Sequence, residues 1–225
     1  NLQLCKKDFR SDWDAVSMGY STFDVLPPDF QSFLIAHVAE KVASKIESNI
    51  WVGNNGTAGE FDGFLNLLLA DSDVVDVAAS AVTAANVVTE LQSVVDAIPA
   101  AVYGQDDLYL YVSSNVARAY IAALGGFGSS GLGANGYKGE GPNQNFAAGL
   151  EFGGIKLFVL SQFGTNKVVA AQKSNLFFGT GLLNDSNEVK VIDMAETDGS
   201  QNVRVVMRFT AAVQFGIGAE IVLYS

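Results

Sequence analysis

From Asp29 to about Val52 the chain runs without a glycine or proline, and its apolar residues keep a helical period. Ile35, Val38, Val42, Ile46 and Ile50 fall within one broad arc at about 100° per residue, so the segment reads as a single amphipathic helix. At a rise of about 1.5 Å per residue it would be about 35 Å long. Pro28 suits a helix start, and Gly53-Asn54-Asn55-Gly56 stops the helix. The opposite face carries Glu40, Lys41, Ser44, Lys45 and Glu47. One side should therefore bury against the molecule's own sheet while the other stays polar. A domain built around so long an element has to place its remaining structure along that helix.

The rest of the chain supplies that structure in a definite order. Residues 1–28 are mixed and aromatic, with Phe9, Trp13, Tyr20 and Phe23 in no period. After the stop come an apolar run from Phe64 to Leu69 and a short one from Val74 to Val77. A second helix is expected from Thr83, as N-cap, to Ile98, with Val87, Val88, Leu91, Val94, Val95 and Ile98 on its apolar face and Pro99 beyond its end. Leu108–Val112 alternates as a strand does, and Ser114 opens a helix to about Leu124. Residues 125–145 form a glycine, serine and asparagine loop, expected to be mobile. β segments follow at Ile155–Ser161, Lys167–Gln172, Leu176–Phe178 and Val189–Ile192. A long strand pair or bent strand, Val203–Phe215 and Ile217–Tyr224, comes last, with a bulge or kink at Gly216 and Gly218. There is no internal repeat. Helices first, strands last and a strand-helix unit between them read as α+β.

Composition narrows the function classes. Only 16% of the 225 residues are charged while 49% are apolar, against about 25% charged in ordinary soluble domains. A chain so poor in charge suits a protein that covers much of its surface with partners. The net charge of −11 argues against affinity resting on phosphate neutralisation, and it keeps unassembled copies apart. Cys5 is the only cysteine, so an internal disulfide and a cysteine zinc site are both excluded, and a reducing compartment fits. No apolar run reaches the length of a membrane helix, and no signal-peptide pattern opens the sequence. The first residue is Asn1 rather than methionine, as in a processed or trimmed chain.

Motifs for chemistry are sparse. Gly126-Phe127-Gly128-Ser129-Ser130-Gly131 has the G-x-G-x-x-G spacing, but a phosphate cradle needs a strand before it and a helix after it. Here a helix comes before, and further glycines with Pro142 prevent one after. His37 is the only histidine; a triad with Ser44 or Asp29 is conceivable, but a structural histidine is favoured. Cys5 sits in an unstructured-looking terminal segment and reads as a passive thiol. Asp71, Asp73 and Asp76, with Glu60 and Asp62 further off, could hold a hard cation, but they lack the glycine and terminal glutamate of a calcium hand and read as a solvated turn. Asp106-Asp107 reads as a turn before a strand, and Asn55-Gly56-Thr57 as an idle sequon. No catalytic, cofactor or metal residues are assigned, and no enzymatic turnover is expected.

The order of elements carries a resemblance. The stretch Ala39–Gly53, a long helix ending at a glycine turn, resembles the spine helix of the HK-ninety-seven-type capsid fold of tailed-phage major capsid proteins. Thr83–Pro99 followed by Leu108–Ser114 resembles that family's passage into its axial domain. Phe152–Leu160 looks like its strand after a glycine turn, Asn175–Gly179 like a short segment deeper in that domain, and Arg204–Phe215 like the strand returning to the peripheral domain. The resemblance covers roughly residues 29–225. It implies an N-terminal segment at 1–28, the spine helix and first part of the peripheral domain at 29–98, an axial domain with the glycine loop at 99–188, and returning peripheral strands at 189–225. Family members carry an N-terminal arm and an extended hairpin loop before the spine helix, and residues 1–28 are short for both, as in a trimmed or differently built region.

The function implied is structural: a subunit that self-assembles into pentamers and hexamers of an icosahedral shell, in the virion, after assembly in the host cytoplasm. Its partners would be further copies of itself, with scaffolding and portal proteins, around DNA that it encloses without specific binding; no cofactor and no membrane are implied. Glu40, Lys41, Ser44, Lys45 and Glu47 are the expected inter-subunit contacts. The alternatives are an encapsulin-like compartment of the same fold, or a small α+β enzyme or binding module that uses residues 125–141 as a ligand loop.

Overall fold

The computed structural model describes residues 2–5, 8, 28–124, 150–181, 189–195, 199–200, 202–207 and 210–225. The glycine loop expected at 125–145 lies outside the described residues, as does the G-x-G-x-x-G stretch within it. The elements are β1 (Leu2–Cys5), α1 (Pro28–Val52), α2 (Phe64–Ala70), β2 (Val75–Val77), α3 (Val87–Asp96), β3 (Leu108–Ser113), α4 (Ser114–Leu124), β4 (Leu150–Phe152), β5 (Ile155–Leu160), β6 (Val168–Gln172), β7 (Leu176–Thr180), β8 (Val189–Asp193), β9 (Asn202–Met207), β10 (Ala211–Phe215) and β11 (Val222–Tyr224). The class is α+β.

The chain divides into two units, one of residues 1–46 and 179–211, the other of residues 47–178 and 212–225. It changes unit inside α1, inside β7 and inside β10.

In the first unit, β9 is the middle strand of an antiparallel sheet ordered β1-β9-β8. Alternation along β9 buries Val203 and Val205, and these meet Leu34 and Val38 of α1. Val42, Leu4, Val189, Val191 and Met207 close around that contact. The helix thus does bury one face against a sheet of its own chain. Leu34, absent from the apolar arc read from the sequence, is as fully buried as Val203, while Ile35 and Ile46 are only half-buried. β1 corrects two readings. Residues 2–5 are a paired strand with Leu4 opposite Val203, so Cys5 lies in a sheet opposite Asn202 and not in an unstructured terminus.

In the second unit a six-stranded sheet is ordered β2-β11-β6-β3-β5-β4, with β2/β11 and β3/β5 parallel and the other pairs antiparallel. Register lines up one apolar row across all six strands: Val75, Val222, Ala170, Leu110, Leu157 and Leu150. That row faces α3 and α4, whose Val87, Leu91, Val94, Val116, Ala117 and Tyr120 complete the larger core. Gly153 (φ 57°) and Gly154 (φ 80°) make the two-residue turn between β4 and β5. Left-handed angles at both positions match the right-handed twist of a hairpin, which is why two glycines stand there.

The other side of this sheet is covered unevenly. Leu223, Val169 and Ala171 pack with Trp51, Phe64, Leu65, Leu68, Phe163 and Phe215 in a second core. Tyr224 adds a polar tie at the sheet's C-terminal strand: its hydroxyl donates to Glu90 at 2.8 Å and accepts from the Ser80 amide at 2.9 Å.

Three boundaries differ from the sequence reading. The second helix begins at Val87 with Asn86 at its N-cap. Thr83 lies one turn earlier, where its amide and hydroxyl both donate to the Asn86 carboxamide oxygen. The stretch Val203–Phe215 is two strands in different sheets, because β9 pairs with β8 while β10 pairs with β7. Gly216 and Gly218 mark a break into a 3-10 turn over Gly218–Glu220, not a bulge within one strand.

Candidate functional site

The residue types that usually carry chemistry are used here for structure. His37 is half-buried on α1 and stacks on Phe33 at 6.5 Å between ring centroids. The side chain of Asp29, one partner considered for it, lies outside the described residues. Asp71 accepts the Asp73 amide at 2.8 Å, Glu60 accepts the Asn54 amide at 3.1 Å, and Asp62 accepts the Asn55 amide at 3.0 Å. These carboxylates cap loop amides, and among the described residues no group of three His, Cys, Asp or Glu is placed to hold a metal ion. Asp107 accepts hydrogen bonds from Ser174 and Gln172, which hold its carboxyl below the usual range, and so it ties the turn before β3 to the end of β6. Among the described residues no helix is long and apolar enough to cross a membrane.

Two exposed surfaces stand out. The first is the outer face of α1. Glu40, Lys41, Ser44, Lys45 and Glu47 are all exposed. Their positions follow from the helical period, and the sequence alone located them.

The second is the uncovered part of the six-stranded sheet. Along one row the partners are Leu223, Val169, Tyr111 and Phe158. Burial falls steadily along it: Leu223 and Val169 are buried, Tyr111 is half-buried, and Phe158 is 53% exposed. The cover ends at Trp51, whose ring lies 5.1 Å from Tyr111, while Phe158 sits 6.0 Å from Tyr111 on the open side. Tyr109, 6.2 Å from Tyr111, extends the aromatic strip along β3, and the β4/β5 pair Glu151–Lys156 adds charges of both signs at its edge. Burial pushes the Tyr111 hydroxyl up to about 12, with the nearby Tyr109 and Asp107 charges adding to it. Phe177, Phe178 and Ile217 are further large exposed apolar residues near the β7/β10 pair. Ile217 is held out by Asn175, whose buried carboxamide accepts the Gly216 and Ile217 amides and donates to the Ile217 carbonyl. Sequence reasoning missed this strip because Tyr109, Tyr111 and Phe158 read as the ordinary alternate face of two strands. Only the ends of the covering core show which of them are left outside.

No family profile and no curated protein matches the sequence. Solved structures do match along nearly its whole length. A chain of Mycobacterium phage Che8 superposes with a TM-score of 0.55 at 13% identity, covering 99% of this chain and 68% of that one. A chain of the satellite phage P4 procapsid that includes the size determination (Sid) protein gives 0.57 at 11% identity, covering 99% and 72%. A chain from the capsid of the native GTA particle gives 0.58 at 13% identity, covering 99% and 69%. At such identities the likeness is one of fold, and the fold is the HK-ninety-seven-type capsid fold.

Proposed function

We propose that the chain is a structural subunit of an icosahedral viral shell, which self-assembles into pentamers and hexamers around a DNA genome. The observation that carries this reading is the fold likeness, which takes in 99% of the chain and comes from procapsid and capsid structures. In this reading the unit with the six-stranded sheet corresponds to the axial domain. The unit with the three-stranded sheet and the first part of α1 corresponds to the peripheral domain.

Surface chemistry supports the same conclusion. A monomer gains nothing by leaving Phe158, Phe177 and Phe178 in water, whereas a subunit buries such groups against its neighbours. Each contact between neighbours is modest, but every copy makes several, and closure adds them together. A net charge of −11 suits a container that encloses DNA without gripping it. Further copies are the principal partners, with scaffolding and portal proteins in the assembled virion and assembly in the host cytoplasm.

The test is sedimentation velocity of the purified chain over a range of concentrations. Large oligomers that grow with concentration are expected. A chain that stays monomeric throughout, and whose melting temperature rises with a small ligand, would instead be a binding module.

A further inference from the structure

Asn55-Gly56 carries a reactivity that the shell reading leaves unused. In a flexible chain the backbone nitrogen of a glycine can reach the side-chain carbonyl carbon of an asparagine just before it, because glycine has no side chain to block the approach. A five-membered ring then closes: the bond from that nitrogen to Cγ forms, the Cγ–Nδ2 bond breaks, and ammonia leaves with the glycine's amide proton. Water opens the ring at either carbonyl and leaves aspartate or isoaspartate. Nothing is oxidised or reduced, and water is the one co-reactant. Closure requires both reacting atoms to come together in line, so a geometry that holds each of them elsewhere stops it.

The loop after α1 holds both. The Thr57 amide donates to the Asn54 carbonyl at 2.9 Å, closing a four-residue turn with Asn55 and Gly56 at its centre. Inside that turn the Gly56 amide, which carries the attacking nitrogen, donates to the Asn54 side-chain oxygen at 2.8 Å. The other reactant is held across the loop. Asp62 accepts the Asn55 amide at 3.0 Å on one carboxylate oxygen and the Asn55 side-chain NH2 at 3.4 Å on the other. Asp62 is itself anchored by the next residue, Gly63, whose amide donates to the Gly53 carbonyl at 3.0 Å. All of these residues belong to one unit, and Asn54, Asn55 and Gly56 are exposed, so water reaches the ring once it forms.

We propose that Asn55 is a self-modification site gated by Asp62: it converts to aspartate or isoaspartate when the loop opens, and Asp62 with Asn54 keeps the loop shut in the folded chain. The change runs one way. An aspartate at this position sets a second negative charge where the side-chain NH2 met Asp62, and an isoaspartate lengthens the backbone inside the turn. Neither product re-forms the same clamp, so each opening that leads to closure of the ring is recorded in the covalent structure. The proposal stands apart from the shell reading and does not depend on it.

The test is peptide mapping by mass spectrometry of the full chain, incubated in mildly alkaline buffer both folded and in denaturant. The peptide that holds Asn55 is read apart from the one that holds Asn135-Gly136, the other asparagine-glycine pair of the sequence. Asn55 should convert in denaturant, and its denatured rate should exceed its folded rate about tenfold or more. Asp62→Ala and Asn54→Ala should each bring that ratio down toward one while circular dichroism and thermal melting show a folded chain. Asn54 is exposed, so its variant keeps the test open if Asp62→Ala does not fold. Asp71→Ala removes a carboxylate that caps a different loop, where it accepts the Asp73 amide, and should leave the ratio unchanged. Equal folded and denatured rates in the unaltered chain would overturn the proposal, as would a ratio that survives in the folded variants. Equal acceleration by Asp71→Ala would also overturn it, since that outcome marks general loosening and not a gate at Asp62.

Discussion

Gly53 and Gly63 stand where the end of α1 is crossed by the chain leading into α2. The Gly63 amide donates to the Gly53 carbonyl at 3.0 Å. A Cβ at Gly63 would lie 2.6 Å from the Asn49 oxygen and the Trp51 carbonyl carbon, and one at Gly53 would run into the Phe61 carbonyl. Every one of those atoms is backbone, which cannot rotate away. Gly53→Ala and Gly63→Ala should each cost about 3 kcal/mol in denaturant unfolding, whereas Gly59→Ala, with open space around it, meets only backbone strain from its φ of 84°. The sequence marked Gly53 as a helix stop but gave no sign of the crossing, because the partner segment is identified only in three dimensions. Tyr111 gives a second residue-level test. Its folded pKa is pushed up to about 12 from 10.0, chiefly by burial. A raised pKa means the protonated hydroxyl is favoured in the folded state, so this contribution to stability is complete below about pH 10 and is lost as pH rises toward about 12. An ultraviolet tyrosinate titration should show a late component that Tyr111→Phe removes. A substitution that removes only an ordinary component at about pH 10 would place Tyr111 in water.

At the scale of elements, α1 was the most legible part of the sequence, yet its buried face differs from the arc drawn through Ile35, Val38, Val42, Ile46 and Ile50. Val38 and Leu34 carry the contact with β9, and Asn49 and Trp51 are buried further along. Periodicity finds a stripe, but α1 is divided between the two units, with Leu34 and Val38 packing in the first and Trp51 in the second, and no single arc describes it. β1 was invisible for another reason: a four-residue strand has too few positions to show alternation, and its partner β9 is nearly the whole chain away. The split between β9 and β10 was missed because both are apolar and alternate without a strong turn signal between them. For α1 the expected outcome is graded. Val38→Asp should prevent folding or cost about 3 kcal/mol or more, since Val38 is 5% exposed and packs against the apolar Leu34, Val203 and Val205. Val42→Asp, at a half-buried position, should cost less. Lys41→Glu with Lys45→Glu should leave the circular dichroism and melting curve nearly unchanged. If the lysine reversal unfolds the chain and Val38→Asp does not, the helix is facing the other way.

At the scale of the molecule, the sequence pointed to the fold through element order: long helix, strand-helix unit, strands. Solved structures match over 99% of the length at 11–13% identity. At that identity the likeness is one of fold. The exposed surfaces were only half legible. The α1 flank follows from a helical period, while the aromatic strip at Tyr109, Tyr111 and Phe158 becomes visible only when the cover over the sheet is seen to stop. Under the proposed shell reading the aromatic strip would be buried against a neighbouring copy. Cryo-electron microscopy of the purified full-length chain, concentrated until it scatters light, tests this most directly. The account predicts closed or curved shells in which copies of this chain form both five-membered and six-membered rings. Fields of uniform single subunits under every condition that keeps the chain folded would contradict it.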